Sequence, residues 1–209
     1  MVVLTEALHG LEGQKLEKTP GVRGLLQASQ AVRELARSPE IRALVTPTLG
    51  ESAFAVRGIL FDKTPDANWL VPWHQDLTIA VRERSDVPGF GPWSVKAGIV
   101  HVQPPAALLE RMLTVRLHLD DCTEASGPLR VLPGSHRHGR LGVSEIAQWR
   151  EAVTEVNCPV PSGGALLMRP LLLHASSPAT LPEHRRVIHL EFAAELLSNG
   201  LAWQEAVGQ

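Results

Sequence analysis

Cysteine is nearly absent: the 209 residues hold only Cys122 and Cys158, with no Cys-x-x-Cys pair. That excludes a disulfide framework and a structural zinc knuckle, and the expectation is two reduced thiols in a cytoplasmic protein. An excess of charge is missing too, with 20 basic against 22 acidic residues and a formal net charge of -2. Such a chain offers no broad basic surface for polyphosphate, so nucleic acid is not an expected partner. Long apolar runs are also lacking. Met1-Val2-Val3-Leu4 has no basic region before it and is too short for a secretory core. The most apolar stretch, 164–175, is interrupted by Arg169 and Pro170, so no membrane span is expected. No segment repeats, and none is of low complexity.

What remains is the composition of a globular protein: 44% hydrophobic and 20% charged, with a mean hydropathy of +0.01. The length fits one domain, 1–209, divided into a helical prefix, 1–50, and a β-barrel core, 53–192. Leu25, Leu26, Ala28, Val32, Leu35 and Ala36 recur at helical spacing between Gly24 and Arg37. Ser38-Pro39-Glu40 then supplies a cap, a first-turn proline and an early acid for a second helix, ending near Val45. From Ala53 onward the pattern is one of short β-rich runs, at 54–61, 71–76, 99–103, 113–119, 129–132, 165–168 and 185–192.

In two of these runs the polar face carries unusual residues. Leu113, Val115, Leu117 and Leu119 alternate with Thr114, Arg116 and His118, and Arg186, Ile188, Leu190 and Phe192 alternate with Arg185, Val187, His189 and Glu191. Many strands after a helical prefix, with little β-α alternation, point to a mainly β (α+β) protein: a double-stranded β-helix, or cupin-like jelly roll, with the N-terminal helices packed on its outside. In that architecture the apolar faces pack outward against helices and the polar faces line an enclosed pocket.

Trp73-His74-Gln75-Asp76 is the most informative tetrapeptide, because residues two apart on a strand place an imidazole and a carboxylate on one side. That is half of a two-His, one-carboxylate iron(II) site, which leaves positions open for a chelating cosubstrate and dioxygen. The best third ligand is His174, at the end of Leu171-Leu172-Leu173. Arg185, eleven positions later, offers the planar fork that grips a carboxylate. His136 and His138 form a rival pair with the same spacing, disfavoured by Arg137 and Arg140 beside them. Arg116 either recognises an anionic substrate or sits in an ion pair with Asp120, Asp121 or Glu191. Asp120-Asp121 reads as turn chemistry, Trp69 and Trp73 as possible walls of the pocket, His101, His118 and His189 as pocket-lining or hydrogen-bonded, and His9 and His184 as exposed.

In their order these motifs resemble the phytanoyl-CoA dioxygenase family of Fe(II)/2-oxoglutarate-dependent oxygenases. The similarity runs through Trp73-His74-Gln75-Asp76, Gly91-Pro92-Trp93-Ser94, Leu119-Asp120-Asp121, Gly127-Pro128-Leu129, Pro133-Gly134-Ser135-His136, and His174-Ala175-Ser176 with Arg185. The resemblance implies His74, Asp76 and His174 as iron ligands and Arg185 as the partner of the far carboxylate of 2-oxoglutarate. It also implies Ser176 and Trp93 as 2-oxoglutarate contacts and places Lys63 and Arg57 near cosubstrate or substrate. The activity it implies uses O2 and converts 2-oxoglutarate to succinate and CO2 while a C–H bond of a small-molecule substrate is hydroxylated or otherwise oxidised. Asp76 stands where halogenating relatives carry a small residue, which favours hydroxylation. The prefix is short beside that of many relatives, so a long acyl-CoA thioester is not implied. The alternatives are a cupin-like metalloenzyme without 2-oxoglutarate and a non-catalytic small-molecule binding barrel; the expected assembly is a monomer or homodimer.

Overall fold

A computed structural model describes residues 21–208. The start of the helical prefix and the expected exposure of His9 therefore lie outside the described residues. The chain opens with a two-residue strand, β1 (Val22–Arg23), and three helices, α1 (Leu25–Ala28), α2 (Gln30–Arg37) and α3 (Pro39–Leu49). The single helix expected over 24–37 is two, because Ser29 is extended and its hydroxyl accepts from Val32 N at 3.3 Å, capping α2. Ser38 caps α3 in the same way through Ile41 N. That helix runs past Val45 to Leu49 despite Pro47, which removes only one helical donor, and it stops at Gly50, whose φ is 83°.

The strands that follow are β2 (Phe54–Lys63), β3 (Val71–His74), β4 (Ile79–Val81), β5 (Trp93–Lys96) and β6 (Ile99–Val102). After α4 (Ala106–Glu110) come β7 (Leu113–His118), β8 (Leu129–Val131), α5 (Val143–Ala152), β9 (Val156–Cys158), β10 (Ala165–Met168), β11 (His174–Ser176) and β12 (Arg185–Ala193). They form a five-stranded sheet, β1-β2-β12-β7-β10, a four-stranded sheet, β3-β11-β8-β9, and a three-stranded sheet, β4-β6-β5.

The protein is thus mainly β with a few helices, in jelly-roll fashion. The β-barrel expected for 53–192 needs correction, because no ladder among the described residues joins the three sheets into a closed barrel. After β10 the chain passes through Arg169-Pro170 and crosses to the second sheet before β11, so β10 is left as an edge.

The alternation in β7 and β12 decides which side of the large sheet is which. Leu113, Val115, Leu117, Leu119, Ile188, Leu190 and Phe192 form one buried cluster with Leu25, Leu26, Val32, Ala36, Ile41 and Val45 of the helices. The helices therefore cover the outer face, where burial of these apolar side chains stabilises the packing of helices on sheet. Gly58 marks the closest approach, since a Cβ there would lie 3.1 Å from Leu25 and Leu26 side-chain atoms. The opposite faces of β7 and β12 carry Arg116, Arg185, His189 and Glu191 inward, where they face β3, β8 and β11 across a cavity of about 450 Å³.

Candidate metal centre

His74 and His174 are Cα partners in the antiparallel pairing of β3 with β11. That register places the imidazoles beside each other with centroids 4.2 Å apart. The two Nδ1 atoms lie 2.8 Å from the carbonyls of Pro72 and Leu172, so each ring carries its proton there and leaves Nε2 as a lone pair. Asp76 completes the group: its Oδ1 is 3.8 Å from His74 Nε2 and its Oδ2 is 3.7 Å from His174 Nε2. All three ligand atoms lie within 4.8 Å of one another, the one such convergence of three or more His, Cys, Asp or Glu side chains among the described residues.

Asp76 does not share a strand with His74 as its spacing suggests. β3 ends at His74, and Asp76 N donates instead to Pro170 O at 2.9 Å. Gln75 makes the bend: buried, it donates from Nε2 to the carbonyls of Gly139 and Leu171 and accepts from Leu141 N. Its positioning part went unnoticed in the sequence, where only the identity of the residue is visible.

Burial by itself would raise the Asp76 carboxyl, but His174, His189, His74 and Arg57 outweigh it and hold the group at about 2. Burial also pushes His174 down to about 4, against the pull of Asp76. A carboxylate between two imidazoles is the donor set of a first-row divalent metal, and Asp76 Oδ2 is buried with no hydrogen-bond partner, as an atom reserved for a metal would be. The residues present therefore fit iron.

Arg185 lines the same cavity, almost fully buried at the start of β12. Its Nη1 donates to Gly127 O at 2.5 Å while its Nε is buried without a partner. Ser176 Oγ donates to the same carbonyl at 3.0 Å and accepts from Lys63 Nζ at 2.8 Å; Lys63 also donates to Ser177 O. Lys63 stands behind the cavity wall, and burial together with Arg185 lowers its ammonium to about 7. Arg185, Ser176 and Lys63 are thus brought together. Trp93 is not: it packs on the apolar cluster of β4–β6, with Arg84 over its ring at 5.7 Å, and it does not line the cavity. Trp69 does line it, whereas Trp73 packs on the far side with Leu132, Leu141 and Leu173.

Arg57 lines the cavity from β2, 3.0 Å from Glu191 Oε1. The ion pair weighed for Arg116 is not formed: Asp120 binds Arg186, Asp121 accepts from Ser162 N, and Glu191 faces Arg57. Arg116 donates instead to His189 Nδ1 at 2.9 Å, which places the ring proton on Nε2, 3.2 Å from Glu191 Oε1. Alternation places His189 and Glu191 on one face, but the pairing of Arg57 with Glu191 and of Arg116 with His189 is a matter of strand register.

His101 and His118 are wholly buried, but neither is satisfied, with His101 Nε2 and both His118 nitrogens unpartnered, and burial holds both near 4. The rival His136 and His138 sit in a single 3₁₀ turn and converge with no third ligand; His138 stacks edgewise on Trp149 at 5.0 Å. His184 is largely exposed, as expected, yet its Nδ1 is 2.8 Å from Asp62 Oδ2. Both cysteines are free thiols. Among the described residues no helix is long and apolar enough to cross a membrane.

No curated protein sequence matches the chain. Among solved structures it is similar to EctD from S. alaskensis with bound Fe, at a TM-score of 0.69 and 18% identity over 92% of this chain and 67% of that one. The epimerase SnoN in complex with Fe3+, alpha ketoglutarate and nogalamycin RO superposes with a TM-score of 0.65, at 18% identity over 92% of this chain and 73% of its own. EvdMO1 gives 0.65 and 22% over 92% of this chain, which spans only 43% of EvdMO1's length. These likenesses establish a shared fold. The sequence model of the phytanoyl-CoA dioxygenase (PhyH) family matches residues 10–187, most of the chain, and the protein belongs to that family of oxygenases.

Proposed function

We propose that the protein is an Fe(II)- and 2-oxoglutarate-dependent dioxygenase that hydroxylates, or otherwise oxidises, a C–H bond of a small-molecule substrate and releases succinate and CO2. The observation that carries this is the convergence of His74, Asp76 and His174 in one cavity with Arg185. When bound, iron on two imidazoles and one carboxylate supplies adjacent open positions for a chelating 2-oxo acid and dioxygen. The chain's own part is geometric. The carbonyls of Pro72 and Leu172 keep both Nε2 atoms aimed inward, and Asp76 brings the one negative charge that distinguishes a divalent cation from water. Arg185 offers its unpartnered Nε to the far carboxylate of 2-oxoglutarate, with Lys63 adding charge and Ser176 a hydroxyl.

The iron and alpha ketoglutarate of the SnoN complex, on the same fold, support extending those groups to this chain. The free thiols support a cytoplasmic enzyme, and we take it to act as a monomer or homodimer. The test is an anaerobic titration of the Fe(II) protein with 2-oxoglutarate, followed by a succinate-release screen over compound pools. A charge-transfer band, and succinate above the uncoupled rate with one pool, are the expected results. Bound iron without that band would mean a metalloenzyme that does not use 2-oxoglutarate, and no bound iron would leave a binding protein.

A further inference from the structure

The cavity holds more positive charge than a single dicarboxylate needs, and the charge falls into two groups. Arg185, Arg116 and Lys63 act on one another at one end. Arg23 from β1, Arg57 from β2 and Lys96 from β5 do so at the other. Both groups share the cavity with the metal centre: Asp76 feels Arg57 and acts on both Arg116 and Lys96. In the first group Arg185 and Lys63 serve the cosubstrate in the function proposed above, and Arg116 is held by His189. The second is left without an assignment.

Within the second group only Arg57 has a carboxylate, Glu191, which His189 also approaches. Among the described residues Lys96 Nζ, at the exposed rim, reaches only the neutral Thr78 hydroxyl, at 3.3 Å. Arg23 lines the cavity with its Nε buried and unpartnered, and no carboxylate among the described residues pairs with it. His101, close enough for all three cations to depress it, is neutral and adds no counter-charge. Among the described residues Asp76 and Glu191 are the only acids lining the cavity; one faces the metal position and the other faces Arg57, and both act on Lys96 without contacting it. The buried, unpartnered Nε of Arg23 is costly unless a ligand completes it, and Lys96 at the rim adds a second positive charge free to turn toward the same ligand. About 450 Å³ has room for 2-oxoglutarate and a second small molecule.

Resting on the proposed iron and 2-oxoglutarate site, we infer that Arg23 and Lys96 form an oxyanion subsite, and that the substrate is a small molecule carrying a carboxylate or a phosphate ester. Its anionic group lies between β1 and β5 while the carbon to be oxidised lies over the triad. Arg23 and Lys96 are then specificity-determining residues and take no part in the chemistry.

The test uses the full chain loaded with zinc, to prevent turnover, and saturated with 2-oxoglutarate. Butyrate and propyl phosphate, with their neutral counterparts butyramide and butanol, are titrated calorimetrically at constant ionic strength. At least one anion should bind, with its neutral counterpart weaker by about tenfold or more. Arg23→Gln and Lys96→Gln should each weaken the anion by about tenfold and leave 2-oxoglutarate affinity unchanged. Preference between the two probes separates carboxylate from phosphate. The inference is overturned if no anion binds the wild type, if the neutral probes bind equally well, or if the double variant binds anions like the wild type. Lys96 is at the exposed rim, so Lys96→Gln carries the test should Arg23→Gln fail to fold. A wild type that takes up no 2-oxoglutarate overturns the proposed function instead, and the anion titration of the zinc form alone still reads the Arg23–Lys96 subsite.

Discussion

At the scale of single residues, the centre depends on three side chains whose roles separate by experiment. Asp76→Ala removes a ligand and the charge that balances the metal, so iron content and succinate formation should both collapse, whereas His136→Ala should keep its iron. Metal analysis of the purified proteins decides this, and equal iron in Asp76→Ala would overturn the ligand assignment. Arg185→Lys keeps the charge but loses the planar fork, so 2-oxoglutarate affinity should fall with iron retained. Arg185→Ala leaves a carboxylate unpaired in an enclosed site, at about 3–5 kcal/mol or more than a hundredfold. Calorimetry with a redox-inert metal measures both. Lys63 adds a pH signature. Burial and Arg185 bring its ammonium to about 7, so it is charged below that pH and loses its proton above it. The Kd for 2-oxoglutarate should therefore rise as pH climbs through 7, and Lys63→Met should flatten that rise. A slope unchanged in Lys63→Met would remove Lys63 from the cosubstrate site.

At the scale of elements, β12 is the strand that joins stability to the site, because its neighbours on both sides carry partners for alternate residues. Arg185 turns inward, while Arg186 turns outward and binds Asp120 through Nε and Nη2, at 2.9 and 2.6 Å. Burial by itself would raise the Asp120 carboxyl, but the side-chain and backbone hydrogen bonds of Arg186 hold it below its ordinary value. The folded-state value is depressed, so the stabilisation is fully present above about 3.9 and fades as pH falls below it. Asp120→Asn should cost about 1–2 kcal/mol near neutral pH and much less in acid, read from denaturant melts at two pH values. Arg186→Ala should show the same stability loss with 2-oxoglutarate affinity intact, which distinguishes it from its neighbour.

The loop before β8 is bound to the site in another way. Gly127 has φ 65°, and a Cβ on it would lie 2.4 Å from Ser177 O. Its carbonyl accepts from both Arg185 and Ser176. Gly127→Ala should destabilise by about 1–3 kcal/mol and weaken 2-oxoglutarate binding more than iron binding, because the shift reaches the cosubstrate residues before it reaches the triad.

Across the whole molecule, the C-terminal segment ties the sheets together. Val207 bridges Ala55 in the five-stranded sheet, and Trp203 bridges Val81 in the three-stranded one. Glu205 accepts from Gly58 N and Gln27 N, both at 2.9 Å, linking β2 to the first helix. Trp203 is buried among Ile79, Val81 and Met112, so Trp203→Ala should cost about 3–5 kcal/mol and lower the melting temperature of the whole protein in one cooperative step. A separate early transition would mean that the three-stranded sheet unfolds on its own.

By itself the sequence determined the β-rich class, the helical cover and the inward and outward faces of β7 and β12, because those follow from residue periodicity, a local property of the chain. It also specified the residue types of the centre, since His74, Asp76, His174 and Arg185 stand in ordered motifs. Only the tertiary structure decided what faces what. Register set His74 opposite His174, a bend held by Gln75 turned Asp76 toward them, the pairing of β1 with β2 set Arg23 near Arg57, and the packing of another sheet brought Lys96 to the same cavity. The same packing turned Trp93 away from the cavity and left the sheets short of a closed barrel. These outcomes depend on contacts between residues distant in the chain, which no local pattern encodes.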